Sequence, residues 1–187
     1  MKLARDLTSE VQLRLVRPSD AASLCEAQLR SREQLAPWEP RRADEWYEPA
    51  FQEARLAELL GSDRIVPWVL VLSEGDRVIG TVTLSNIVPG PWQNADLGYW
   101  IDVAQVGRGL ASAAVAAVCE LADTELLLHR ISASTRVDNA PSQRVLAKNG
   151  FVQYGFAPEY LHIDGAWRDH NLYQRILNTR PPGQPAP

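Results

Sequence analysis

Gln105-Val106-Gly107-Arg108-Gly109-Leu110-Ala111 is the stretch on which the fold turns. Ahead of it, Leu97-Gly98-Tyr99-Trp100-Ile101-Asp102-Val103 reads as a strand. Behind it, an alanine-rich apolar segment from about Leu110 to Ala122 reads as a helix. A strand that ends in two glycines and opens a helix is suited to hold an anion. The first turn of a helix has backbone N–H groups without partners, and its dipole adds about half a positive charge there. Glycines let the backbone come close to a guest, and Arg108 adds a full charge. A phosphate or pyrophosphate is the expected ligand.

Two common phosphate loops do not fit. The nucleotide P-loop needs Lys-Ser or Lys-Thr after its last glycine, and no such pair is present. The dinucleotide pattern G-x-G-x-x-G needs a third glycine where Ser112 stands. It also expects an acidic residue on the next strand, and Ile131 to Thr135 carries none. A third loop, Gln/Arg-x-x-Gly-x-Gly/Ala, is met by Gly109 and Ala111, with Val106 at its first fixed position. Taken alone, the stretch also reads as a plain glycine turn before a helix.

With 187 residues, 45% hydrophobic and 22% charged, the chain is long enough to bury a sizeable core. Residues 1–179 read as one domain. The proline-rich residues 180–187 read as a flexible tail. A net charge of -4 argues against non-specific nucleic-acid binding, which wants a basic field. It leaves a basic peptide or a cationic amine open as partner. Cys25 and Cys119 have no metal-ligand spacing and read as core thiols in a cytosolic setting. The first ten residues carry no secretory pattern, and no apolar run approaches the ~20 residues of a membrane span. His129, His162 and His170 are too scattered for a metal site.

Val11 to Val16 alternates as a strand, and Pro18-Ser19-Asp20 caps a helix that runs to about Leu35. Pro37-Trp38-Glu39-Pro40 stops it. The next helical pattern spans about Ala43 to Leu60, with Pro49 marking either its start or a kink. Trp68 to Leu72 is continuously apolar and reads as a buried strand, returning through Ser73-Glu74-Gly75-Asp76 into Arg77 to Leu84. Val88 to Trp92 reads as a loop. Beyond the glycine stretch come a strand at Arg130 to Arg136 and a helix capped by Asp138-Asn139. A strand at Phe151 to Phe156, a tight hairpin around Asp164-Gly165 and a last strand from His170 to Leu177 follow. This order predicts an α/β (α+β) fold: a mixed, mostly antiparallel central sheet flanked by helices.

A second informative stretch is Asn139-Ala140-Pro141-Ser142-Gln143-Arg144-Val145-Leu146-Ala147-Lys148-Asn149-Gly150-Phe151. Read plainly, it is a capped helix with a glycine stop. Together with the glycine loop it resembles the acyl-CoA-binding fold of the GNAT acyltransferase superfamily. Leu35-Ala-Pro-Trp-Glu-Pro40 and Glu159-Tyr-Leu-His-Ile-Asp-Gly-Ala-Trp-Arg-Asp-His170 resemble the ribosomal-protein-alanine N-acetyltransferases within it, the RimJ/RimL group. The likeness covers about Val11 to Leu177.

That resemblance implies acetyl-CoA as co-substrate and no metal. The backbone of Gly107, Arg108, Gly109, Leu110, Ala111 and Ser112 would cradle the pyrophosphate. The strand edge at Trp100, Ile101, Asp102 and Val103 would bond the pantetheine arm. Asn139 would contact the cofactor, and Ser142 would protonate the leaving thiolate. Trp38 and Glu39 would line the acceptor groove, with Glu39 as base. Glu159 and Tyr160 are further acid–base candidates by position. Each also has a plain reading, as a solvated, structural or core residue.

The chemistry is attack of an amine on a thioester. A chain-terminal amine has a pKa near ~8 and lysine near ~10.4, so neutral lysine costs about 3 kcal/mol more. An enzyme for α-amines therefore needs only a weak base. No Gly-x-Ser-x-Gly elbow or Cys/His pairing suggests a covalent nucleophile, which favours direct transfer. The resulting expectation is acetylation of a protein N-terminus, of a ribosomal protein by family analogy. A small amine such as an antibiotic or polyamine, and a non-catalytic acyl-CoA-binding module, remain as alternatives. No direct nucleic-acid or membrane partner is expected, the location is cytoplasmic, and a homodimer is open.

Overall fold

A computed structural model describes residues 3–182 and 184. Eight strands form one sheet: β1 (Arg5–Asp6), β2 (Val11–Leu15), β3 (Val66–Leu72), β4 (Val78–Val88), β5 (Asn94–Ile101), β6 (Arg130–Arg136), β7 (Val152–Ile163) and β8 (Ala166–Ile176). Their order across the sheet is β1-β2-β3-β4-β5-β6-β8-β7. Only β5 and β6 run parallel; every other pair is antiparallel. Four α-helices cover it: α1 (Ala21–Leu35), α2 (Pro49–Leu60), α3 (Leu110–Thr124) and α4 (Ala140–Lys148).

The apolar run of β3 is explained by burial on both faces. Trp68 and Leu70 join a cluster with Leu110, Ala114, Val118 and Leu121 of α3. Val69 and Val71 point the other way, to Leu24 of α1 and Leu56 of α2. Trp68 is fully buried, and its indole N–H donates to the Leu3 carbonyl at 3.0 Å.

The position of α1 is fixed by charge. Arg14 of β2 makes two 2.8 Å bonds to Asp20, and both side chains are buried. Asp20 also accepts from the Arg17 N–H at 2.7 Å. At its other end α1 is fastened by Arg30, which donates to Asp102 at 2.7 and 3.1 Å. Removing one partner of a buried pair such as Arg14–Asp20 costs about 3–5 kcal/mol; Arg30 is half-exposed, and its pair with Asp102 is worth less.

Several element boundaries differ from the sequence reading. The helix expected from Ala43 begins at Pro49, preceded by a 3-10 turn at Asp44–Tyr47. Proline lacks an N–H, so it suits the first helical position, where none is needed. The strand at Phe151 and the following hairpin arm are one strand, β7, bent by register shifts near Gly155 and between Ala157 and Leu161. Of the expected tail, Arg180 is tied down: its guanidinium donates to the Asp123 carbonyl at 2.9 Å and to its carboxylate. Residues 183 and 185–187 lie outside the described residues.

The feature that positions the site is an opening in the sheet. β5 pairs β4 along nearly its whole length but pairs β6 only at Asn94, Ala95 and Asp96. Beyond Asp96 the two parallel strands diverge.

Candidate active site

The divergence of β5 and β6 makes a cleft of about 500 Å³. Its walls carry Leu97 to Ile101 of β5 and Ala133 to Arg136 of β6. Asn139 and Ser142 come from the start of α4, and Trp38 and Glu39 from the turn after α1. Val106 and Ala111 also line it, so the glycine loop flanks one end.

The loop has the geometry its sequence requires. Gly107 and Gly109 have φ of 79° and 76°, a region that suits glycine, and a side chain at either would meet open space. Gly109 caps α3 without a side chain to offer, and the Ala113 N–H is the one that reaches back to the Gly109 carbonyl, at 3.1 Å. The N–H groups of Leu110, Ala111 and Ser112 therefore point out of the helix end. Arg108 reaches Glu10 at 2.8 Å and also donates to Gln105. Its charge is shared with Glu10 rather than free.

The strand edge differs from the sequence reading. β5 ends at Ile101, so Asp102 and Val103 are not strand residues; Val103 opens a 3-10 turn. The physical reason is that their polar groups are already committed. The Asp102 N–H donates to Ile79 of β4, and the Asp102 carboxylate holds Arg30 and caps the Ala104 N–H. The Val103 N–H donates to the Ser31 hydroxyl at 3.0 Å. Backbone groups alternate sides along a strand. Asp102 faces β4, while Gln93 accepts from Arg130 of β6. Even-numbered residues thus face β4, which takes Trp100 out of the free edge. Tyr99 and Ile101 present the unpaired N–H and carbonyl groups to the cleft. Gly80 allows β4 to lie this close, since a Cβ there would sit 2.6 Å from the Trp100 carbonyl oxygen.

Asn139 caps α4 through its side-chain oxygen, which accepts from the Ser142 N–H at 3.1 Å. Ser142 lies against Tyr99, a residue the sequence reading left in the strand. Their hydroxyl oxygens are 2.9 Å apart, and the phenol also donates toward the Ser142 carbonyl at 3.2 Å. Burial pushes the Tyr99 phenol up to about 12, against a smaller opposing effect of the Ser142 bond. Tyr99 is therefore protonated at neutral pH. Among alcohols and phenols the phenol gives up its proton more readily, so in this pair Tyr99 is the better donor and Ser142 its partner.

Trp38 and Glu39 are brought in by the end of α1, where both N–H groups donate to Leu35. Arg136 at the end of β6 fixes that turn: it donates to the Pro37 carbonyl at 2.6 Å, is braced by Asp138, and lies 5.2 Å from the centre of the Trp38 ring. Glu39 is half-buried. Burial raises its carboxyl above the ordinary value, with Arg42 and Arg55 pulling the other way. A carboxylate so shifted is a better base near neutrality.

Glu159 and Tyr160 are not brought to the cleft wall. Glu159 is exposed at the bend of β7, with its N–H donating to Asp169. Tyr160 packs at a tilt against His170, ring centres 5.4 Å apart, while Leu161, Ile163 and His170 line the cleft in their place. Glu159 falls in the two-residue bulge between Ala157 and Leu161, at φ 49°, and Tyr160 alternates to the face opposite Leu161 and Ile163. Cys25 and Cys119 are buried free thiols, and burial raises both, Cys119 to about 11. Neither is a thiolate nucleophile at neutral pH. The described residues contain no cluster that could hold a metal ion, and no helix long and apolar enough to cross a membrane.

An exposed helix N-terminus for phosphate, an open strand edge for an amide-bearing arm and a buried Thr135 hydroxyl without a partner in the cleft fit a long acyl carrier. The site is that of an acyl-CoA-dependent transferase. Comparison with known proteins bears this out. Residues 10–152 match the acetyltransferase (GNAT) domain, and the chain belongs to that family. It is an acetyl-CoA-dependent N-acetyltransferase. It is 39% identical over 140 residues to the probable N-acetyltransferase YjcK of Bacillus subtilis, covering 73% of this chain and 77% of that one. It is 34% identical to the ribosomal protein uS5-alanine N-acetyltransferase of Escherichia coli, covering 95% and 93% of the two chains. The structure of the S5-alanine acetyltransferase of Vibrio fischeri superposes with a TM-score of 0.89 at 34% identity, covering 95% and 98%. RimJ of Mycobacterium smegmatis, solved with a CoA disulfide, gives 0.84 at 35% identity, covering 89% and 81%.

Proposed function

We propose that this enzyme acetylates the N-terminal α-amine of a protein by direct transfer. The observation that carries the reading is the pairing of Glu39 with Tyr99 and Ser142 in one cleft, with no thiol nucleophile between them. Acetyl-CoA supplies an acetyl group activated as a thioester. The loop N–H groups of Leu110 to Ser112 hold its phosphates, and the free edge at Tyr99 and Ile101 holds its amide arm. Asn139 keeps α4 and Ser142 in place.

The acceptor amine enters past Trp38. Glu39 takes its proton, directly or through water, and so exposes the attacking lone pair. The nitrogen attacks the thioester carbonyl carbon; as the C–S bond breaks, Tyr99, steadied by Ser142, donates its phenolic proton to the departing sulfur, and the second proton lost by the nitrogen restores the phenol. Holding both reactants in this cleft supplies much of the rate. A ribosomal protein is the acceptor class suggested by the Escherichia coli relative, whose own substrate is uS5. Buried free thiols agree with a cytoplasmic location.

Two peptides test the reading. One has a free N-terminal alanine or serine and no lysine; the other has a blocked N-terminus and several lysines. Thiol release from acetyl-CoA is expected with the first. Release only with the second overturns the α-amine assignment.

A further inference from the structure

Beside the cleft, on the side of α1 and α2, lie two further cavities of about 280 Å³ each. Both are lined by Gln28, Glu39, Arg42 and Trp46, and Glu39 also lines the main cleft. They therefore adjoin the place where the amine is held.

Two arginines share one indole here. The guanidinium carbons of Arg42 and Arg55 lie 4.0 and 4.4 Å from the centre of the Trp46 ring. Like charges so placed repel, and Arg55 is lowered from its ordinary value, first by burial and then by Arg42. Among the described residues neither makes an ion pair; Glu39 and Glu58 act on Arg55 only from a distance. Arg55 donates to Gln52 at 3.0 Å, while the buried Nε of Arg42 has no partner. The side-chain oxygen of Gln28, a residue 8% exposed, is also buried without one.

Glu39 is the one carboxylate that both arginines feel, and it is not in ion-pair contact with either, so two half-buried cations share one distant anion and favour a second. Arg32 and Arg41 also line the first of these cavities, but each is paired with an aspartate, at 3.6 Å from Asp44 and 3.5 Å from Asp164. A guanidinium held over an aromatic ring can still offer its N–H edge to a carboxylate in two-point fashion.

We propose that this is the acceptor-specificity pocket and that it binds a carboxylate carried by the acceptor close to its amine. The inference rests on the α-amine reading and narrows it. Glu39 receives the ammonium end, and Arg42 and Arg55 receive the carboxylate. The acceptor is a peptide with Asp or Glu at its second or third position, or a free amino acid presenting its own carboxylate. Gln28 offers an acceptor to an N–H between the two. A polyamine, cationic along its length, is rejected by the same two arginines.

The test uses the full chain with acetyl-CoA and a set of acceptors. Three peptides start with alanine and differ only in carrying Asp, Asn or Lys at positions two and three. Free glutamate and an N-blocked lysine peptide complete the set. The Asp peptide is expected to have a KM about tenfold below the Asn peptide, with similar kcat, and the Lys peptide is expected to be worst. In Arg42→Gln and Arg55→Gln the Asp-to-Asn ratio should collapse toward one, and in Arg42→Glu the preference should turn toward Lys. Acetyl-CoA affinity and thermal melting of each variant establish that it is folded. Free glutamate turned over with the same arginine dependence supports the pocket and assigns the carboxylate to a free amino acid. The Asp peptide alone supports it and assigns the carboxylate to a side chain. Equal use of the Asp and Asn peptides by the parent enzyme, or a ratio untouched by the substitutions, overturns the pocket and leaves α-amine acetylation standing. Activity on the lysine peptide alone overturns the α-amine reading and the pocket with it.

Discussion

The two sides of the cleft are built from different materials. On the proposed reading, the cofactor side, from β5 through α4, holds its ligand with backbone: the helix end after Gly109 and the free edge at Tyr99 and Ile101. The acceptor side, from α1 through α2, offers side chains instead: Trp38, Glu39, Arg42, Trp46 and Arg55. A backbone site depends on φ, ψ and strand register, so it takes one shared ligand and tolerates many side chains. A side-chain site changes its guest with each substitution. The difference explains how one cofactor can serve a family of enzymes with separate acceptors.

Substitutions can break that division. The largest effect is expected where the sides meet. Tyr99→Phe removes the proton donor and should lower kcat about a hundredfold. The KM values of both substrates should stay near those of the parent; a change confined to acetyl-CoA KM would mean Tyr99 only binds. Next comes Gly109→Val. A β-branched residue at φ 76° is strained by about 1–3 kcal/mol, so acetyl-CoA affinity by calorimetry should fall about tenfold to a hundredfold, with acceptor KM unchanged. Arg136→Ala should act on the opposite side. It frees the Pro37 carbonyl and the Trp38 ring, and acceptor KM should rise several-fold while acetyl-CoA affinity holds.

The smallest effect is in the pH dependence. The folded-state pKa of Glu39 is raised by burial, so activity that needs its carboxylate should fall away on acidification at a pH above the ordinary carboxylate range. Glu39→Gln should flatten that acid limb in kcat/KM. The stability sign is opposite to that of a salt-bridged acid. The folded state favours the protonated form, so it loses stability as pH rises from the unfolded-state pKa through the raised one. Above that window the Gln variant should melt no lower than the parent; a lower melting temperature would mean the charged Glu39 stabilises the fold through its arginines.

The same contrast governs what the sequence discloses. Backbone sites leave local marks: two glycines before an alanine-rich helix, Asn139 three residues before Ser142, the unbroken apolar run of β3. Each was legible because its cause lies within a few residues. Side-chain sites are assembled across the chain. Arg136 reaches Pro37 from 99 positions away, and Tyr99 meets Ser142 across 43. Tyr99 in the sequence is one apolar residue in a strand. Asp102 reads as part of a binding edge, but Arg30, 72 positions earlier, holds its carboxylate. The bulge that holds Glu159 has one local mark, Pro158, since proline inside a strand is confined to edges and bulges, but nothing nearby fixes how β7 resumes its pairing at Leu161.

The opening between β5 and β6 makes ligand binding, on the proposed reading, a contribution to the stability of the sheet. A sheet interrupted at its middle is completed by a guest that the unfolded chain cannot hold. Such a guest adds RT ln(1 + [L]/Kd) to folding stability, about 2.7 kcal/mol at a hundredfold excess over Kd.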